Sequence, residues 1–251
     1  MTAWALLIEY DGTPFSGWQR QESTPTVQAV LETAAANLAG GPVVAHVAGR
    51  TDAGVHAIGQ VAMLDLPERY DSRAVEGALN FHMKPHPVVV LRAVPAAPGW
   101  HPRFSALRRT YLYRILNRSA RPALALGRTW HVWPRLDHVA MAEAASMLLG
   151  RHDFSSFRAA SCQANSPLRT LDVLDVTRHG EMVEVRAEAR SFLHHQVRNM
   201  VGTLRLVGAG QWRPERVRDA LEARDRSAAG PTAPPDGLFL TGVGYEPDPF
   251  G

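Results

Sequence analysis

Asp52 stands in the stretch Gly49-Arg50-Thr51-Asp52-Ala53-Gly54-Val55-His56, which places a guanidinium, a carboxylate and an imidazole within seven positions. A loop held by a rigid scaffold can carry a catalytic carboxylate, and the flanking Gly49 and Gly54 let the backbone bend sharply beside Asp52. The plainer reading is a turn whose aspartate accepts hydrogen bonds from nearby backbone N–H groups. A metal site is a third reading, with Asp52 and His56 facing one way and His194-His195 adding ligands. No HExxH or comparable spacing supports it, and the expectation is no metal.

The elements around this stretch must position it. Residues 4–10 read as a strand closed by the turn pair Asp11-Gly12. Thr24 reads as an N-cap with Pro25 at the first helical position. Val27, Val30, Leu31, Ala34 and Leu38 then recur at helical spacing up to Gly40-Gly41. Strands at about 43–48 and 59–66, a helix opening at Asp71 or Ser72 and a strand at 87–94 complete a β-α-β-β-α-β order, the split βαβ pattern. A Pro/Gly-rich stretch at 95–99 follows. The second half repeats the pattern: a strand at 107–117, a helix capped by Asp137, strands at 170–178 and 182–189, helices at about 192–208 and 214–224, and a strand near 238–245. Residues 225–236 read as a loop. The expected fold is α+β, with two ferredoxin-like halves, 1–103 and 104–251, forming a mixed, mainly antiparallel sheet with a central cleft, a favoured place for a ligand.

Composition bounds the function. The chain has 251 residues, 45% hydrophobic, enough for one large core or two smaller ones. The single cysteine, Cys162, excludes an internal disulfide framework and points to the cytoplasm. No segment approaches the roughly 18–20 apolar residues of a membrane helix, so no membrane partner is expected. The net charge is +3, and the cations are arginines apart from Lys84. Arginine suits phosphates and stacked bases, although an arginine-rich composition also follows from a GC-rich genome.

Six stretches in order resemble the TruA-type tRNA pseudouridine synthases. They are Glu9-Tyr10-Asp11-Gly12 with Gly17-Trp18-Gln19-Arg20-Gln21; residues 49–56; Phe104-Ser105-Ala106 with Tyr111 and Tyr113; Asp153-Phe154-Ser155-Ser156-Phe157-Arg158; Phe192 to Gly202; and Gly237-Leu238-Phe239-Leu240. The resemblance spans nearly the whole chain. It departs from the family at Leu112, where a basic residue is frequent, and matches only loosely at 80–85. It implies a catalytic Asp52 paired with Arg198, an active-site Tyr111, and an Arg50 that helps open the stem and hold the vacated place of the base. His195 is expected to contact substrate. Arg20, His56, Arg103, Arg109 and Arg158 form a group of candidate RNA contacts, any of which is otherwise a solvated surface charge or a packing residue.

The implied reaction detaches uracil from C1′ of its ribose, rotates it and rejoins it through C5. Substrate and product are isomers, so no cofactor is expected. Asp52 must then stay ionised where desolvation raises a carboxyl pKa, and an arginine partner opposes that rise. Tyr111 lies on the same strand face as Tyr113, a position that suits either a core ring or a stacking surface for a flipped base. The resemblance further implies uridines 38, 39 and 40 of the tRNA anticodon stem-loop as targets, a homodimer, and no DNA. Two other classes stay in view. A retaining glycoside hydrolase would need a second carboxylate about 5 Å away, which Glu9 or Asp11 could supply, although nothing in the spacing demands it. A non-catalytic RNA-binding module would leave uridines unchanged.

Overall fold

The apolar run from Trp4 to Ile8 does form a strand, because one face of it meets helices and the other meets a second apolar cluster. The computed structural model describes residues Met1–Gly251. It divides into two units, Met1–Arg109 with Phe239–Gly251, and Thr110–Leu238. Both are α+β, and most strand pairings are antiparallel.

The first unit contains β1 (Thr2–Tyr10), α1 (Val27–Ala39), β2 (His46–Val47), β3 (His56–Leu66), α2 (Ser72–His82) and β4 (Val88–Pro95). β1 pairs antiparallel with β3 on one side and β4 on the other, and β2 pairs antiparallel with β3. This is the β4-β1-β3-β2 order of a split βαβ unit. Trp4, Leu6, Ile8 and Tyr10 are buried on one face of β1, while α1 and α2 pack on the sheet and each other. Ala5 enters the other cluster, with Ala48, Val61, Ala106, Tyr245 and Phe250.

Helix α1 starts two residues later than its sequence suggests. Thr26, not Thr24, caps it by accepting the Ala29 N–H. The Pro25 carbonyl is taken by the Ser16 N–H, and the Val27 and Gln28 amides donate to the Gly17 and Trp18 carbonyls. Those contacts keep Pro25 in the loop and satisfy helix donors that otherwise lack partners. β2 is shorter than the expected 43–48, because the Ala45 amide leaves the ladder to donate to buried Glu32. β3 starts three residues early at His56, where the final strand β10 (Leu238–Gly244) pairs parallel with it, Phe239 opposite His56.

The second unit runs β5 (Arg108–Leu116), β6 (Trp130–His131), α3 (His138–Ser146), β7 (Gly150–Asp153), β8 (Leu168–His179), β9 (Met182–Ala189), α4 (Gln196–Gly208) and α5 (Glu215–Ala223). Its strand order is β5-β9-β8-β7, and the two-residue β6 lies parallel to the end of β5. β8 and β9 form a hairpin whose turn holds Gly180 at φ 61°. Asp137 caps α3 as expected, and α3 packs on β8 and α4. The short strands β6 and β7 have no signal in the sequence, since two to four residues carry too little alternation. α4 opens at Gln196 instead of about 192, because His195 before it adopts the left-handed conformation at φ 62°. No helix is long and apolar enough to cross a membrane.

Candidate active site

In the first unit, the loop 49–55 is held from beneath by a buried polar cluster. Gln60 on β3 donates to the Gly49 carbonyl at 2.9 Å and to the Tyr10 hydroxyl at 3.3 Å. The Tyr10 and Thr51 hydroxyls lie 2.7 Å apart. Either hydroxyl can donate to the other, and the Tyr10 oxygen also accepts from Gln60. Burial pushes the Tyr10 hydroxyl up to about 12, against the opposing hydrogen bonds of Thr51 and Gln60. It is therefore a neutral hydroxyl throughout the physiological range.

Backbone packing closes the loop from the side. The Trp18 amide donates to the Thr51 carbonyl, the Gly54 amide to the Phe15 carbonyl, and the Val55 amide to the Asp52 carbonyl. Two glycines outside the loop permit this approach. A Cβ on Gly12 would lie 2.0 Å from the Val55 carbonyl oxygen, and one on Gly17, whose φ is 95°, would lie 2.7 Å from that of Thr51. Fully buried Trp18 and Tyr10 have their rings 6.1 Å apart behind the same segment. Asp52 thus sits, partly exposed, on a loop with little freedom to move, the condition a positioned carboxylate needs. Arg50 is exposed two residues before it.

Two expected RNA contacts of this unit lie inside it instead. His56 is 2% exposed and stacks on Phe239 at 4.6 Å. Its Nδ1 accepts the Gly12 N–H at 3.0 Å while Asp11 Oδ1 lies 3.2 Å from the same atom. One ring nitrogen cannot both accept from Gly12 and donate to Asp11. The Gly12 bond is the one made, because a buried backbone donor must be satisfied, and the ring proton then sits on Nε2. Arg109 is 8% exposed and donates to the carbonyls of Ala48, Arg103 and Ala106. Neither side chain presents itself to a phosphate on the surface. Arg20 is exposed, but its Nε is 2.7 Å from Glu32. Arg103 is exposed beside Phe104.

The second unit gathers its candidates around the start of α4. Tyr111 on β5 meets Phe192 edge-on at 5.2 Å. The His194 and His195 rings lie 4.1 Å apart. The His194 carbonyl accepts the Ala159 N–H, which brings the 3-10 turn at Ser155–Phe157 and the adjacent Arg158 to the same end of the helix. His195 caps α4 in the left-handed region, a conformation that costs a non-glycine residue about 1 kcal/mol and clusters at functional sites. Gln196 Oε1 accepts the Leu193 N–H and holds that bend.

Sequence reading missed the group that orients Arg198. Buried Asn199 donates to the Phe157 carbonyl, and its Oδ1 accepts from Arg226 and from Thr232 Oγ1. Thr203 accepts the Gly230 N–H. These bonds wrap residues 226–234 around α4, and a Cβ on Gly202 would strike the Pro231 carbonyl. The wrapped segment gives the Ala233 carbonyl to Arg198 Nε at 2.8 Å and takes the Arg198 carbonyl with the Ala233 amide. The Tyr113 hydroxyl donates to the Pro234 carbonyl. The available signal was a run of polar residues, Gln196, Asn199 and Thr203, on a helix otherwise rich in Val, Met and Leu.

Each unit therefore holds its own set of polar groups on a fixed backbone, a carboxylate with a guanidinium in the first, and an aromatic hydroxyl, two imidazoles and a guanidinium in the second. A model of the tRNA pseudouridine synthase family matches residues 6–105 and 144–246 of the chain. The chain is 69% identical over 252 residues to the tRNA pseudouridine synthase A of Acidiphilium cryptum, covering 100% of this chain and 99% of that protein. It is 60% identical to the one of Paramagnetospirillum magneticum, over 98% of this chain and 96% of the relative. The counterpart in Rhodospirillum centenum is 59% identical, over 98% and 100%.

Proposed function

Because the chain belongs to the tRNA pseudouridine synthase family, whose members isomerise tRNA uridines, we propose that its targets are uridines 38, 39 and 40 of the anticodon stem-loop and that Asp52 starts the reaction. The observation that carries the assignment is the loop 49–55. It is clamped by Gln60, Tyr10 and Thr51 from beneath and by Gly12 and Gly17 from the side, and Asp52 is its carboxylate.

The N1–C1′ bond breaks, the uracil turns, C5 bonds to C1′, and the hydrogen leaving C5 is balanced by one gained at N1. Attack on the base, attack on the sugar and removal of a ribose proton all begin from an ionised carboxylate. Arg198 is the guanidinium partner of that carboxylate. Tyr111 offers the displaced base an aromatic surface. Arg50 holds the place the base vacates, His195 contacts the substrate, and Arg158 with Arg20 and Arg103 meets the tRNA backbone, fixing register without reading sequence. His56 and Arg109 support the loops that carry these groups. The enzyme works as a homodimer in the cytoplasm, and light scattering that returned a monomer mass would remove the dimer.

The test is pseudouridine mapping of unmodified tRNA incubated with wild type or Asp52→Asn, with chelator present and no cofactor. New pseudouridine at 38–40 is expected with wild type alone, the variant losing at least about 10³-fold in rate, the middle of the range of one positioned acid–base group. Equal product from the variant would dismiss Asp52. Intact binding without product from wild type would favour a non-catalytic RNA-binding module.

A further inference from the structure

One sequence motif has no place in this chemistry. Phe104 is 74% exposed in the segment His101-Pro102-Arg103-Phe104-Ser105-Ala106, and a phenyl ring left in water forgoes the burial that ordinarily stabilises it. Its neighbours are cationic or aromatic. His101 lies against it with ring centroids 4.5 Å apart, and His46 against His101 at 5.3 Å. The Arg103 guanidinium is 5.9 Å from the Phe104 ring.

The backbone that carries the ring is held from behind. The His101 amide donates to Ser105 Oγ and the Ser105 amide to the His101 carbonyl, while the Arg103 amide donates to His101 Nδ1. The buried Arg109 guanidinium ties the Arg103 carbonyl to that of Ala48. The Tyr245 hydroxyl donates to the Pro102 carbonyl. Acceptance by Nδ1 makes His101 a neutral ring, in keeping with burial and the nearby His46 and Arg103, which hold it below the usual histidine range.

We propose that Phe104, backed by His101 and flanked by Arg103, is a stacking platform for an unpaired nucleobase of the tRNA other than the uridine being isomerised. A two-torsion ring on a fixed backbone loses little entropy on stacking, and each base has a π-face for it. The guanidinium beside the ring suits the phosphate next to that base. A hydrophobic protein partner would sit poorly on a patch flanked by a guanidinium and two imidazoles. The inference rests on tRNA being the substrate, and on no particular uridine within it.

Filter binding of unmodified tRNA to wild type, Phe104→Ala and Phe104→Trp over a range of salt concentrations tests it, with steady-state kinetics and light scattering on the same samples. Phe104→Ala is expected to weaken binding roughly five- to hundredfold, the range of one lost base–aromatic stack. Because no charge is removed, the salt dependence stays that of wild type. KM should rise with kcat within about twofold, and Phe104→Trp should restore affinity to within about threefold of wild type. Affinity of Phe104→Ala within twofold of wild type would overturn the platform. So would a loss accompanied by dissociation of a dimer, which would make the ring a contact between two copies of the chain. Failure of wild type to modify 38–40 would instead strike the target assignment, leaving the binding comparison readable.

Discussion

The loop that carries Asp52 and the junction that carries His195 both combine hydrogen bonds with close approach, in different balance. The loop leans more on close approach: Gly12 and Gly17 let backbone meet backbone where no Cβ fits. The junction leans more on bulk polarity, with buried Gln196 and Asn199 filling the hydrogen-bonding capacity of a bent backbone. A site held by sterics fails when an atom is added, whereas one held by a polar network fails when an atom is removed.

The largest expected effect on stability comes from adding a methyl to the loop's support. Gly12→Ala forces the Val55 carbonyl aside and should cost about 3 kcal/mol, the upper range for overpacking. Urea unfolding of the variant measures it, and a loss below about 1 kcal/mol would mean the loop yields and is not clamped. Removing the hub of the junction comes next. Asn199→Ala leaves the Phe157 carbonyl and the Thr232 hydroxyl short of a partner, and about 2 kcal/mol should be lost. If the same unfolding measurement gave no change, residues 226–234 would be held by something other than Asn199.

A smaller effect appears at high pH, where both regions lean on buried tyrosines. Burial raises Tyr10 behind the loop and, still further, Tyr113 beneath the segment that holds Arg198. A folded-state pKa above the ordinary value near 10 favours the native state fully below pH 10. That stability is lost as pH rises toward the folded value, about 12 for Tyr10. Stability should fall by roughly 1 kcal/mol per pH unit for each such tyrosine above pH 10. Tyr10→Phe and Tyr113→Phe should each flatten that slope by one tyrosine's share in urea unfolding at pH 9 and pH 11. An unchanged slope in Tyr10→Phe would place its ionisation outside the buried cluster.

Much of this was legible in the chain. The periodicity of α1 and α3, the opening of α2 at Asp71 or Ser72, the Asp137 cap and the apolar run of β1 come from local chemistry, so each could be read without the rest of the fold. The loop 49–55 stands out because its charged types lie together in sequence, but that stretch alone reads as a turn, and only the resemblance to the family favours a chemical role. The misreadings fall where a distant residue decides. Thr26 displaces Thr24 as cap because the Gly17 and Trp18 carbonyls take the helix amides, and β2 shrinks because Glu32 takes the Ala45 amide.

The same division separates the arginines. Composition counts them alike, yet Arg109 is sealed against three carbonyls while Arg103 stands in solvent beside an exposed ring. By itself the sequence determined the longer helices and strands, the place of Asp52 between two glycines and, through its motifs, the family. Only the tertiary structure decided which polar groups are structural and which are available to a substrate. Burial is a property of what surrounds a side chain, and those surroundings come from segments as far apart as Ala48 and Arg109 or Asn199 and Thr232.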